Sequence, residues 1–91
     1  MAKFRKKPVV IEAWQAKELI RCARHDWKSL PKCVGEAYKK GGWVFAVEHI
    51  SIPTLEGVHR ANIDDMVIRG VNGEFYPCKP AIFKKTYEEV L

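Results

Sequence analysis

Six apolar residues between Ala16 and Leu30 recur at helical spacing, and this stripe restricts the possible folds more than any other feature of the chain. Ala16, Leu19, Ile20, Ala23, Trp27 and Leu30 are separated by three, one, three, four and three positions. At about 100° per residue they collect on one side of a helix, and such a helix must lay that side on another layer. The spacing predicts a helix over residues 16–30. Pro31 ends it, because the residue before a proline is steered out of helical conformation. Lys17, Arg21, Arg24 and Lys28 keep the same rhythm on the neighbouring side. They predict a basic row standing in water beside the buried stripe.

A shorter helix is expected over residues 31–39. Proline suits a first helical turn, and Gly41 or Gly42 supplies the left-handed stop. Ahead of the stripe, residues 8–14 are rich in β-branched side chains and read as a strand. Its near-continuous apolar character predicts a central position with both faces covered. Downstream, residues 43–47, 49–53, 58–63, 66–70, 74–76 and 86–90 read as further strands. Residues 54–57 form a tight turn. Asn72-Gly73 predicts a type I′ hairpin, since both residues tolerate positive φ. Pro77 and Pro80 interrupt the strand pattern, and residues 80–83 can make one helical turn. The expected fold is α+β. One main helix at about 16–30 and a short second helix pack on a curved, mainly antiparallel sheet of about five to six strands. The expectation is a single domain over residues 1–91 with a basic arm at 1–7.

With 91 residues, such a chain buries roughly 60–65% of its extended surface and supports one modest core. Its 47% hydrophobic and 11% aromatic content excludes the disordered class. No apolar run approaches the roughly 20 residues that span a bilayer, so no membrane partner is expected. The apolar stretch at 8–11 is short and ends at Glu12, which argues against a secretion signal. Three cysteines without paired spacing predict free thiols in a reducing compartment. The expected location is the cytoplasm. The net charge of +5 is uneven: residues 1–45 hold 11 Lys/Arg and 4 Asp/Glu, net +7, and residues 46–91 hold 5 and 7, net −2. The first half therefore supplies a basic surface.

The residues that bear chemistry are scattered. Cys22 and His25 are helix neighbours, yet no second close pair completes a metal site. Cys78 precedes Lys79, whose ammonium can depress a thiol pKa. A cysteine nucleophile also needs a base, and neither His49 nor His59 is tied to Cys78 by sequence. In Asp64-Asp65 and Glu88-Glu89 adjacent strand residues diverge, and Asp64-Asp65 reads better as turn chemistry that bonds nearby amides. Phosphate-binding glycine motifs are absent from the sequence. No catalytic residue, metal or cofactor is expected. Among Trp14, Trp27, Trp43, Phe75 and Tyr76, most are expected in packing, with Trp27 on the core stripe and Trp43 also suited to the core. One or two are left for the surface, without the sequence saying which, and exposed aromatics with arginine anchor many interfaces.

Two stretches carry a family resemblance. Phe4-Arg5-Lys6-Lys7-Pro8-Val9-Val10-Ile11-Glu12-Ala13 opens the chain, and Gly73-Glu74-Phe75-Tyr76-Pro77-Cys78-Lys79-Pro80 stands near its end. With Ile52-Pro53-Thr54-Leu55-Glu56-Gly57, these resemble a family of small proteins of tailed bacteriophages and prophages. The chain departs from the family pattern at Asp64, Met66 and Cys33. The resemblance implies an infected or lysogenic bacterial host but no catalytic mechanism. By analogy it implies an accessory protein of host-takeover or anti-defence type that binds a host protein with an acidic surface. The basic surface expected to make that contact comprises Lys3, Arg5, Lys6, Lys7, Lys17, Arg21, Arg24 and Lys28. A weakly specific nucleic-acid binder using the same residues is the alternative, and a small-ligand or thiol-dependent site around Cys78 is a third. Homodimer formation is compatible with a small domain that has sheet edges.

Overall fold

A computed structural model describes residues 2–4 and 9–90. The apolar stripe forms helix α1, Ala16–His25, which buries Ala16, Leu19, Ile20 and Cys22. Its first amide is satisfied from outside the helix, since Ala16 N–H donates to the carbonyl of Asp65 at 2.9 Å. The helix stops five residues short of the expected end. Asp26 leaves helical geometry at φ −155°, ψ 69°, and its carboxylate accepts the Ser29 hydroxyl at 2.5 Å. The backbone tightens there, with the Ser29 N–H donating to the Asp26 carbonyl at 3.0 Å. A 3-10 turn, Trp27–Ser29, follows. Leu30 still reaches the core, but Trp27 is turned off the stripe and is 42% exposed, which corrects its assignment to the core.

The second helix, α2, spans Lys32–Lys40 and buries Val34. Gly41 stops it at φ 102° while donating its N–H to Tyr38, as expected of a left-handed terminator.

Among the described residues there are six strands, within the expected five to six, but in place of one curved sheet they form two three-stranded antiparallel sheets. Strand β1 (Glu12–Gln15) pairs with β5 (Met66–Arg69), which pairs with β6 (Phe75–Cys78). Strand β2 (Val44–Phe45) pairs with β3 (His49–Thr54), which pairs with β4 (Gly57–Asn62). The sheets meet where β6 packs against β3 and β4. Strand β1 is therefore an edge and not a central strand. The doubly covered strand is β5, whose Val67 and Ile68 are both fully buried. Val67 joins the main core with Leu19, Ile20, Val34, Trp43, Ile50 and Ile52. On the opposite face Ile68 lies between its cross-strand partners Ala13 and Tyr76.

Pro77 sits within edge strand β6, where a missing N–H is tolerated. Pro53 is accommodated in β3 because β2 reaches only Ile50 and Ser51. The β5–β6 hairpin differs from the expected type I′ turn. Among the described residues only glycines adopt positive φ, Gly73 at 82° here, so Asn72 does not share that conformation. Helix α3, Pro80–Thr86, replaces the expected single turn, and residues 87–90 form no strand. Phe83 of α3 and Tyr87 just past it line a cleft with Ala13 and Met66, which sets the C-terminal helix beside the second face of the β1–β5–β6 sheet. The architecture is α+β.

Candidate functional site

Helix α1 presents Lys17, Arg21 and Arg24 to solvent, and Lys28 is exposed on the 3-10 turn that follows. The basic row is therefore real, but its fourth member stands off the helix because Asp26 breaks it. Arg21 is engaged: its Nε lies 2.8 Å from Glu18, both side chains being about half exposed. That hydrogen bond and charge raise the Arg21 pKa further. Lys3 is exposed ahead of the first strand. Arg5, Lys6 and Lys7 lie outside the described residues.

The cationic character extends beyond the predicted row. Between Ala16 and Lys40 the chain carries seven Lys/Arg against three Asp/Glu. Lys39 and Lys40 occupy the last turn of α2, where cations complement the helix dipole.

A second feature adjoins this surface and was not expected from the sequence. Trp27, expelled from the α1 stripe, meets Tyr38 of α2 edge to face with ring centroids 5.2 Å apart. Both also approach Phe45 of β2, at 6.5 and 5.8 Å. Phe45 in turn packs on buried Trp43 at 5.9 Å. Together with Arg24 and Val44 these rings line an open groove of about 340 Å³, and no carboxylate lines it. Trp27, Tyr38 and Val44 are 42%, 41% and 56% exposed. Trp43 belongs to the core and Phe45 packs against it, while Trp27 and Tyr38 rest on Phe45 and face water. The one local signal for this groove is Asp26, a weak helix former next to the end of the stripe.

The thiol reading fares differently. Cys78 is half-buried in β6, and its Sγ lies 3.6 Å from the carbonyl of Lys79. Burial, with the nearby Asp65 carboxylate, pushes its pKa up. The Lys79 ammonium, expected to lower that pKa, is instead directed to Asp65 Oδ2 at 3.5 Å. Cys33 is also raised, by burial and then by Glu12. Neither thiol has the electropositive setting that activates a cysteine. Among the described residues no three of His, Cys, Asp and Glu come together as metal ligands. Within the same residues no helix is long and apolar enough to cross a membrane.

Asp65 behaves as the sequence indicated for turn chemistry. Its Oδ2 accepts the backbone N–H of Asn62 at 2.8 Å. Of the five aromatic positions singled out, Trp43 is core, Trp27 is exposed, and Trp14, Phe75 and Tyr76 are half-buried. No family model matches the chain, and no curated protein or solved structure is significantly similar to it.

Proposed function

We propose that this chain is a non-catalytic binding domain that docks on an acidic protein surface through the cationic side formed by α1 and the following turn. The observation that carries this reading is the simultaneous exposure of Lys17, Arg21, Arg24 and Lys28. Among the described residues only Arg21 of the four forms an ion pair. Three cations thus stand ready for an incoming partner. Attraction between complementary surfaces speeds encounter and weakens with salt. The resemblance of both chain ends to small tailed-phage proteins supports a host macromolecule as the partner, in the manner of a host-takeover or anti-defence factor. The raised pKa of Cys78 and Cys33 weighs against the thiol-dependent alternative.

A salt-titrated comparison of two probes tests the reading. One is a fluorescein-labelled 20-residue oligoglutamate, and the other is a 20-base-pair DNA duplex. The expected result is binding of the oligoglutamate at low salt, lost as salt rises and lost in the Arg24→Glu, Lys28→Glu double variant. Tighter binding of the duplex, with a salt slope of roughly four released ions, transfers the surface to the nucleic-acid alternative. Absence of oligoglutamate binding at low salt removes the proposal.

A further inference from the structure

We infer that the groove walled by Arg24, Trp27, Tyr38, Trp43, Val44 and Phe45 is an anchor pocket for an acidic protein segment that carries one large apolar or aromatic side chain. The inference rests on the binding-domain reading above and names where and how such a partner engages. Three observations carry it.

The first is composition. The groove combines one arginine with four aromatic rings and holds no carboxylate in its lining. Tryptophan, tyrosine and arginine are the residue types that dominate binding energy at protein interfaces. The second is preorganisation. Trp43 is buried, and Phe45 packs on it while contacting Trp27 and Tyr38. The ring walls are therefore held before any ligand arrives, which reduces the ordering cost of binding. The third is charge. Arg24 forms part of the wall, Lys28 follows Trp27 by one residue, and Lys39 and Lys40 follow Tyr38. An occupant with carboxylates flanking its apolar anchor is complementary to this rim, and a basic one is repelled.

The geometry favours a peptide over single-stranded nucleic acid. Trp27 meets Tyr38 at 70° and Phe45 at 85°. Trp27, the most exposed of the four rings, stands across the other two. Tyr38 and Phe45 are tilted by 40° and Phe45 and Trp43 by 31°, but Phe45 is half-buried and Trp43 buried. The groove therefore does not offer successive exposed parallel faces of the kind that accept a run of bases. A groove of about 340 Å³ has room for one large side chain.

The test uses the full chain, labelled with ¹⁵N, and two ten-residue peptides of Asp and Glu. One peptide has a central Trp, and the other has Ala in its place. The Trp peptide is expected to bind about tenfold tighter, the weight of one buried aromatic anchor. It should move the amide signals of Arg24, Trp27, Tyr38, Val44 and Phe45. Trp27→Ala should remove the preference between peptides while leaving the salt-sensitive binding they share. Val44→Glu, at an exposed position, provides a second variant that preserves the core and should weaken both peptides. Equal binding of the two peptides, with signals moving only along Lys17, Arg21 and Lys28, overturns the pocket and leaves the basic-surface reading standing. Failure of both peptides to bind at low salt overturns both. Movement of the groove signals by a dT10 oligonucleotide but by neither peptide overturns the choice of occupant.

Discussion

Asp65 and Asn62 hold each other twice across the turn between β4 and β5. Asp65 Oδ2 accepts the Asn62 backbone N–H at 2.8 Å, and the Asp65 backbone N–H donates to the Asn62 carbonyl at 2.9 Å. The Asp65 carbonyl also receives the first amide of α1. One residue thus joins the two sheets' connection to the start of the helix. Asp65 is 4% exposed, so removing its carboxylate leaves the Asn62 amide without its acceptor. Asp65→Ala is expected to cost about 1–3 kcal/mol, measured by urea denaturation. Asp65→Asn keeps an acceptor oxygen and should cost less. The Lys79 side chain, 61% exposed, contributes as a surface ion pair does, so Lys79→Ala should change stability by less than about 1 kcal/mol. A Lys79 effect equal to that of Asp65→Ala would assign the stabilisation to the ion pair and not to the turn.

The C-terminal helix supplies an alkaline dependence. Burial, and then the neighbouring Tyr87 hydroxyl, push the Tyr76 hydroxyl from 10.0 up to about 12, with Glu74 and Cys78 acting in the same direction. The folded state therefore holds this proton more tightly than the unfolded chain does. The contribution is complete below pH 10 and is lost as pH rises from about 10 to 12. Thermal stability should fall across that interval more steeply in the native chain than in Tyr76→Phe. Every other group is common to both proteins, so the difference between them isolates Tyr76. Tyrosinate absorbance should show one hydroxyl titrating late. Parallel pH profiles for the two proteins would exclude the coupling.

Local signals explain what was legible in the sequence. The start of the α1 stripe, the proline before α2 and the glycine after it each act over a few residues, and α1 begins at Ala16 and α2 ends at Gly41 as those signals indicate. Asp26 is equally local, yet it was outweighed by the periodicity of Trp27 and Leu30. Its departure from helical geometry, at φ −155° and ψ 69°, is what takes Trp27 off the stripe. The division into two sheets is not local. It depends on β1 pairing with β5 from the other half of the chain, and the register of such pairs is set by packing of whole faces. The same distinction governs the site. The exposed basic row follows from a period of three and four. The aromatic groove requires Phe45 and Val44 of β2 to arrive beside Trp27 and Tyr38, and that meeting depends on tertiary packing.

Gly35 is a site where the sequence is less stable than the fold permits. It lies inside α2, and a Cβ built there meets only the Cδ2 of Leu30, at an ordinary 4.0 Å. Alanine restricts the unfolded chain and suits a helix interior. Gly35→Ala should therefore stabilise the protein by about 0.5–1 kcal/mol, raising Tm by several degrees. Gly41→Ala should do the opposite, because φ is 102° there and a Cβ is strained in that conformation. Calorimetry of the two variants checks both signs. A lower Tm for Gly35→Ala would show that the space beside Leu30 is not available in solution.

Cys78 provides the sharpest separation between a binding domain and a thiol enzyme. A catalytic cysteine works through its thiolate, and the thiolate fraction at neutral pH follows the pKa. Here burial and Asp65 raise that pKa, and Lys79 is occupied with the same carboxylate. Iodoacetamide at pH 7.5 should therefore alkylate Cys78 more slowly than it alkylates a cysteine in an unstructured peptide. Asp65→Asn removes the negative charge and should speed the reaction. Lys79→Ala should change it little, because the ammonium does not address the sulfur. Alkylation faster than the peptide standard, suppressed by Lys79→Ala, would reinstate an activated thiol and displace the non-catalytic reading.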